Sequence, residues 1–138
     1  MAKENEYYAY FTVVGSFEPD EITRKVGVTP TKCWCEGDLN PRSGLKYSFS
    51  RWILRSRLET AASLETHVTD VLDQLDSNRT TFREISIELG GVMELVAYFY
   101  RDYPGLSMEH DLIQRMAEYS LSIDCDFYWM QSGDREDS

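Results

Sequence analysis

Five side chains could carry metal or acid–base chemistry: Cys33, Cys35, Cys125, His67 and His110. One residue separates Cys33 from Cys35, whereas Cys125 lies far downstream and the two histidines fall on different predicted helices. A zinc site needs about four ligands at a recognisable spacing, and this distribution does not supply them. The sequence therefore predicts no metal site and no cofactor. We expect Cys33 and Cys35 to be loop thiols and Cys125 to face inward on a core strand.

The sequence does not position either histidine for proton transfer. His110 lies between Glu109 and Asp111, but adjacent positions on a helix do not face one another. We expect His67 and His110 to be solvated on helix surfaces. The sequence contains no glycine-rich phosphate loop, nucleophile elbow or His-Glu-x-x-His motif. We therefore predict that the chain is not an enzyme.

A row of arginines is the first candidate binding surface. Three of them share one face of the extended segment 45–58: Arg51, Arg55 and Arg57. Arginines on a strand face can hold a carboxylate, a phosphate or an acidic peptide. A simpler interpretation, which we favour, pairs them with acids on neighbouring strands, namely Glu94, Asp124 and Asp126. In both cases a wet sheet face carrying both signs of charge is the predicted binding surface.

An acidic helix face is the second candidate surface. The helix predicted over 63–77 carries four acids on its exposed side, with no Lys or Arg before Arg79: Glu65, Asp70, Asp73 and Asp76. Ordinary exposed helices mix both signs of charge, so this face is either simply solvated or a docking surface for a basic partner.

The charge of the whole chain restricts the class of partner. The formal net charge is −10. Residues 1–62 carry nine Lys or Arg and eight Asp or Glu, whereas residues 63–138 carry five and sixteen. An acidic surface repels nucleic acid and attracts basic proteins, so we predict a protein partner and no nucleic acid. No apolar run reaches the roughly 20 residues that cross a bilayer, and the N-terminus lacks a signal sequence, so we expect a cytoplasmic protein that does not bind membranes.

Hydrophobic periodicity predicts the elements that hold these side chains. Strands are expected at 7–14, 45–58, 92–101 and 121–129, and helices at 19–26, 63–77, 80–89 and 107–119. The predicted fold is a single α+β domain over 1–138, a two-layer sandwich of a mainly antiparallel sheet with helices on one face. A ferredoxin-like arrangement is one option. The polar tail 133–138 is expected to be flexible.

Three local predictions can be checked directly. Ser63 is expected to cap a helix whose buried stripe contains Leu64, Val68, Val71, Leu72 and Leu75. The alternation in 45–58 slips near Ser50, which indicates a bulge or turn there. The last strand alternates cleanly, so one face is expected to pack inward: Leu121, Ile123, Cys125, Phe127 and Trp129.

Several short motifs resemble a bacterial family of unknown function, DUF4279. They are the strand from Tyr8 to Gly15, Pro19 and Ile22, Gly27-Val28-x-Pro30, Glu36-Gly37-Asp38, Trp52-x-Leu54-x-Ser56, and Asp124 with Asp126 in the last strand. These are structural glycines, prolines and aromatics, so the resemblance carries over no catalytic residue. Small acidic families of this kind often resemble immunity proteins, which neutralise a toxin by binding it.

Three functions therefore remain open. The leading hypothesis is a binding protein, in particular an immunity protein, that holds a basic partner through the acidic helix face. The alternative is a domain that binds a small ligand or a peptide through the arginine-lined sheet face. A small enzyme is the third hypothesis. A pocket lined by the arginines would favour the second, and a strongly shifted carboxyl group or histidine in a cleft would favour the third.

Overall fold

A computed structural model describes residues 3–130, so the predicted tail 133–138 lies outside the described residues. The strands are β1 (Glu6–Gly15), β2 (Lys32–Trp34), β3 (Ser50–Arg55), β4 (Val92–Phe99) and β5 (Ser122–Trp129). The helices are α1 (Pro19–Val26), α2 (Leu64–Leu75), α3 (Arg79–Leu89) and α4 (His110–Glu118), with a 3-10 turn at Asp76–Asn78. In this part of the chain, no helix is both long enough and apolar enough to cross a membrane.

The strands form one mixed sheet in the order β2-β3-β1-β4-β5, which confirms the α+β fold. β1 pairs antiparallel with both β3 and β4, and β2 pairs antiparallel with β3. Within residues 3–130 the parallel pair is β4 with β5, joined through α4. The connection from β4 through α4 to β5 therefore joins two adjacent parallel strands. The ferredoxin-like arrangement stays a prediction.

The core lies between the sheet and the helices. Alternate residues of β1 are fully buried on the helix side, and Phe11 packs edge to face against Phe82 of α3. The predicted stripe of α2 is buried beside them. The Ser63 hydroxyl accepts the backbone N–H of Thr66, which confirms the predicted N-cap. A period of two in β1 and a period near 3.6 in α2 thus bury one face of each element.

The connection before β3 differs from the sequence prediction. The strand begins only at Ser50, where the alternation slips, and the two preceding residues form a bend. The Ser50 hydroxyl donates to the Phe17 carbonyl at 2.6 Å and accepts the Glu36 N–H at 2.8 Å. β2 was missed because three residues within a stretch of turn formers carry no readable period.

β5 is the largest departure from the sequence prediction. It was expected to bury one face, but it is an edge strand and all eight of its residues are exposed. Its helix-side residues Ile123 and Phe127 are 45% and 41% exposed. The preceding helix, α4, turns Leu112 and Met116 into the core and leaves β5 uncovered. α4 also begins later than predicted, with Glu109 rather than Ser107 at its N-cap.

Candidate functional site

The face of the sheet opposite the helices is called the open face. The registers place residues of four strands on it, among them Tyr8, Tyr10 and Thr12 of β1, Arg51, Ile53 and Arg55 of β3, Glu94, Val96 and Tyr98 of β4, and Asp124, Asp126 and Tyr128 of β5. The helix-side residues of β1, β3 and β4 make up the core instead. The open face is therefore the broad sheet surface that the helices leave uncovered.

Cations line one side of the open face. The Arg55 guanidinium lies over the Tyr8 ring, 3.8 Å from its centroid. The Arg51 Nε atom donates to the Thr12 hydroxyl at 3.0 Å, and its guanidinium lies 5.9 Å from the centroid of the Tyr10 ring. Cation–π contacts of this kind orient an arginine while leaving some of its N–H donors for another ligand.

Arg57 does not belong to this row, although the sequence placed it there. It follows the end of β3, and its side chain pairs with Asp70 of α2. Its Nη2 atom lies 2.8 Å from Asp70 Oδ1, and its backbone N–H also donates to Asp70 at 2.8 Å. The predicted row is thus reduced to Arg51 and Arg55, because the strand period no longer applies beyond residue 55.

Carboxylates line the other side of the open face. Glu94 lies on β4, where it is paired in register with Asp124 of β5, and Asp126 lies two residues further along β5. Glu94 is only 9% exposed. Burial, together with the charges of Asp124 and Asp126, raises the pKa of Glu94 to about 7. The group is therefore half protonated near neutral pH and can donate or accept a proton.

The predicted ion pairs between these arginines and acids are wrong. The sheet order puts β1 between β3 and β4, so the cations and the carboxylates stand two strands apart. Across residues 3–130, Arg51 and Arg55 take part in no ion pair. The charges of the open face are separated by sign instead of being neutralised in pairs.

Tyr8 and Tyr10 lie between the two charged sides, and Tyr98 and Tyr128 lie on the same strands as the carboxylates. Tyr8 and Tyr10 stack with ring centroids 6.2 Å apart, and Tyr98 stacks on Tyr128 at 5.1 Å. Burial raises the pKa of both Tyr8 and Tyr10, so their hydroxyl groups stay protonated at neutral pH. Rings with a polar tip and a half-buried body are common in protein interfaces.

The acidic helix face is largely neutralised within the chain. Asp70 pairs with Arg57, while Asp73 and Asp76 each lie 2.9 Å from the guanidinium of Arg115 on α4. Asp76 also pairs with Arg79 and accepts the Tyr119 hydroxyl. Glu65, the fourth predicted acid, sits in the first turn of α2. Three of the four acids therefore join α2 to neighbouring segments rather than standing free.

A buried serine–histidine pair was missed by the sequence analysis. His67 was expected to be solvated, but it is fully buried, and its Nδ1 atom lies 2.6 Å from the Ser56 hydroxyl. Burial lowers the pKa of His67. The signal was present, because His67 lies three residues after Leu64 and four before Val71 on the apolar stripe. Ser56 is also buried, so the pair lies in the interior of the domain.

The cysteines are free thiols in different settings. Cys33 and Cys35 are half-buried, and burial raises the pKa of Cys33. Cys125 was expected to face the core, but it is exposed on the edge strand. Within residues 3–130, His, Cys, Asp and Glu form no group of three or more that could hold a metal ion.

One surface cleft lies away from the open face. It measures 370 Å³ and is lined by residues at the start of β1 and after β4: Glu4, Asn5, Tyr7, Ala61, Arg101, Asp102 and Pro104. Neither Arg51 nor Arg55 lines it. The open face is thus a broad surface and not the wall of this cleft, which suits a macromolecular ligand better than a small one.

Comparisons with known proteins give a family and no function. A family model described as "Domain of unknown function (DUF4279)" matches residues 5–130, which is nearly the whole chain. Searches of curated proteins and of solved structures return no match. The chain belongs to the DUF4279 family.

Proposed function

We propose that this domain works by binding a protein partner through the open face of its sheet. The observation that carries the proposal is the separation of charge on that face. Cations stand on β3, two tyrosines on β1, and carboxylates together with two further tyrosines on β4 and β5. Ion pairs within a sheet usually mix the signs on neighbouring strands, whereas separated signs create a field that can orient a partner.

The side chains on this face are of the types that contribute most to protein interfaces. Tyrosine and arginine are enriched among residues whose truncation weakens complexes, and Tyr8 with Arg55 forms a preorganised stack. Preorganisation matters because side chains that are already held lose less conformational entropy on binding. The arrangement therefore favours binding over catalysis.

The charge balance favours a basic surface on the partner. The chain carries −10 overall, and the acids of α2 are mostly held by arginines of the same chain. Asp124 and Asp126 are exposed and lie outside those ion pairs. A partner with basic residues would meet these two carboxylates and associate faster at low salt. An immunity protein that binds and neutralises a basic toxin is the specific form of this proposal.

A second candidate function is supported by the arginine side of the face. Arg51 and Arg55 keep donors available while their ring and hydroxyl contacts fix their direction. Such donors suit the carboxylates of an acidic peptide. The same experiment separates the two candidates, since each predicts the loss of binding in a different variant.

The test is an affinity capture from the native host, read by mass spectrometry and repeated with charge variants. Asp124→Asn with Asp126→Asn should abolish capture of a basic partner, and Arg51→Gln with Arg55→Gln should abolish capture of an acidic one. The matched control is Glu84→Gln with Glu88→Gln, which removes two exposed acids from α3. A partner that is lost only in the control, or retained by both open-face variants, would contradict the proposal.

The immunity form has its own readout. Coexpression with the captured protein should restore growth to cells that the captured protein alone kills. Rescue should fail for the open-face variant that loses capture and persist for the α3 control. A captured protein without toxicity would remove the immunity role and leave the binding function in place.

A further inference from the structure

The edge strand β5 leaves three surfaces uncovered at once. Both of its faces are exposed, and its outer edge has no neighbour within residues 3–130. The unpaired backbone groups of a strand edge can pair with another chain. Two features place this edge at the proposed binding surface. Asp124 and Asp126 belong to the open face, and the opposite side of β5 carries exposed apolar groups.

The hydrogen bonding of β5 shows which backbone groups face outward. The N–H of Ser122 donates to the Gly91 carbonyl at 3.1 Å, and that of Met130 donates to the Phe99 carbonyl at 2.7 Å. Even-numbered residues of β5 therefore turn their backbone groups toward β4. Alternation along a strand directs the N–H and C=O groups of Ile123, Cys125 and Phe127 toward the open edge.

The side chains of β5 specify the chemistry of an added strand. On the open face, Asp124 and Asp126 would lie beside alternate residues of that strand, which should therefore be Lys or Arg. On the helix side, Ile123 and Phe127 are close to half exposed and would be covered by its other residues, which should be apolar. The complementary segment thus alternates basic and apolar side chains with a period of two.

A second copy of this chain fits the edge poorly. A two-fold axis at Cys125 would place Asp124 of each copy opposite Asp126 of the other. Like charges directly opposite one another across an antiparallel pair are destabilising. The same acids that attract a basic strand therefore oppose pairing of β5 with itself, as charged residues on edge strands commonly do.

We propose that β5 accepts an added strand from the partner, a segment in which Lys or Arg alternates with apolar residues. This inference rests on the proposed function, because it names the mode by which the partner engages the acidic side of the open face. Backbone hydrogen bonds at Ile123, Cys125 and Phe127 supply affinity, and the alternating side chains supply specificity.

The test uses the full chain and a synthetic peptide that alternates lysine and valine. The peptide has eight residues, the length of β5. Amide hydrogen exchange is followed residue by residue by NMR. The amides of Ile123, Cys125 and Phe127 should become protected, whereas those of β2, at the other edge, should not change. A peptide with the same composition but no alternation, and one that replaces lysine with glutamate, should bind at least about tenfold more weakly.

Two variants separate the contribution of charge from that of the backbone. The double variant Asp124→Asn with Asp126→Asn should bind the alternating peptide about tenfold more weakly and with a smaller dependence on salt. The control Glu84→Gln with Glu88→Gln should leave both the affinity and its salt dependence unchanged. Phe127→Pro removes one outward N–H and should abolish protection at the edge. If that variant fails to fold, Ile123→Lys is used instead. It puts a charge on the apolar side of β5 and should weaken binding of the peptide there.

The outcomes distinguish this inference from the proposed function. Peptide contacts at Tyr8, Tyr10 and Arg55 without edge protection would overturn strand addition and leave binding on the open face intact. Edge protection that appears without peptide and grows with protein concentration would identify a second copy as the occupant and overturn the inference. Equal binding of the lysine and glutamate peptides would also overturn it. A native partner that is captured equally by the Asp124 and Asp126 double variant would count against the basic partner itself.

Discussion

Arg57 and Asp70 form a bidentate ion pair with each other. The sequence analysis had placed Arg57 in the arginine row and Asp70 on the acidic helix face. The guanidinium contacts both carboxylate oxygens, and the backbone N–H of Arg57 adds a further hydrogen bond at 2.8 Å. The pair joins the end of β3 to α2, where Gln74 also donates to Asp70 at 3.1 Å. Asp70 therefore stabilises the fold, and the acidic surface that is left for a partner lies on β5.

Replacing Asp70 with Asn should destabilise the fold. Burial alone would raise the pKa of Asp70, but the hydrogen bonds and the charge of Arg57 lower that pKa below its usual value. The carboxylate therefore stabilises the folded state above about pH 4, and this stabilisation is lost as the pH falls further. We expect a loss of roughly 1–3 kcal/mol at neutral pH. Urea unfolding should show that Glu65→Gln, in the same helix, changes stability by less than about 0.5 kcal/mol.

Replacing Leu72 with Ala tests the packing of α2 against the sheet. Leu72 is fully buried in the predicted stripe, so its truncation should cost roughly 2–5 kcal/mol. Ile87 of α3 is 56% exposed and provides the control, since Ile87→Ala should change stability by about 0.5 kcal/mol or less. Thermal unfolding of both variants gives the comparison. Equal melting temperatures for the two would contradict the assignment of Leu72 to the core.

Local patterns predicted the elements well because they depend on neighbours in sequence. The stripe of α2, its Ser63 cap and the break in the strand pattern near Ser50 all follow from spacing within a few residues. His67 lies on the same stripe, and its position there predicts burial, whereas its residue type predicts a solvated side chain. Its partner Ser56 lies outside α2. Position on the helical period was the more reliable indicator of burial.

The order of strands in the sheet could not be predicted in this way. Alternation showed that β5 is a strand, but the same alternation fits an edge strand and a central strand. The separation of Arg51 from Glu94 likewise depends on β1 lying between their strands. Both facts come from pairing between distant segments, so the candidate surface was only partly predictable from the sequence.

The buried pair of Ser56 and His67 should make stability depend on pH. Burial lowers the pKa of His67 below its ordinary value of 6.5. The unfolded chain therefore binds a proton at His67 more readily than the folded chain does. The free energy of unfolding should fall as the pH drops below 6.5 toward the pKa of His67 in the folded chain. His67→Gln should remove this slope. Ser56→Ala should cost about 1–3 kcal/mol, because it leaves the Nδ1 atom and the Ala9 N–H without their partner.

Glu94 should produce a pH dependence of opposite sign. Its pKa is about 7 in the folded protein, against an ordinary value of 4.5, because burial and the two aspartates of β5 disfavour the charged form. The folded chain therefore binds more protons than the unfolded chain between these values. Stability should rise as the pH falls from 7 to 4.5, by at most about 3 kcal/mol.

The variant that isolates this effect is Glu94→Gln, which resembles the protonated carboxyl in shape and carries no charge. It should stabilise the protein above pH 7 and cancel the Glu94 contribution to the slope between pH 4.5 and 7. Because His67 acts in the opposite direction below pH 6.5, unfolding curves should be compared between Glu94→Gln and the parent chain in a His67→Gln background. Parallel pH profiles in that background would show that Glu94 titrates normally. The carboxyl group would then be ionised on the open face and would add its charge to that of Asp124 and Asp126.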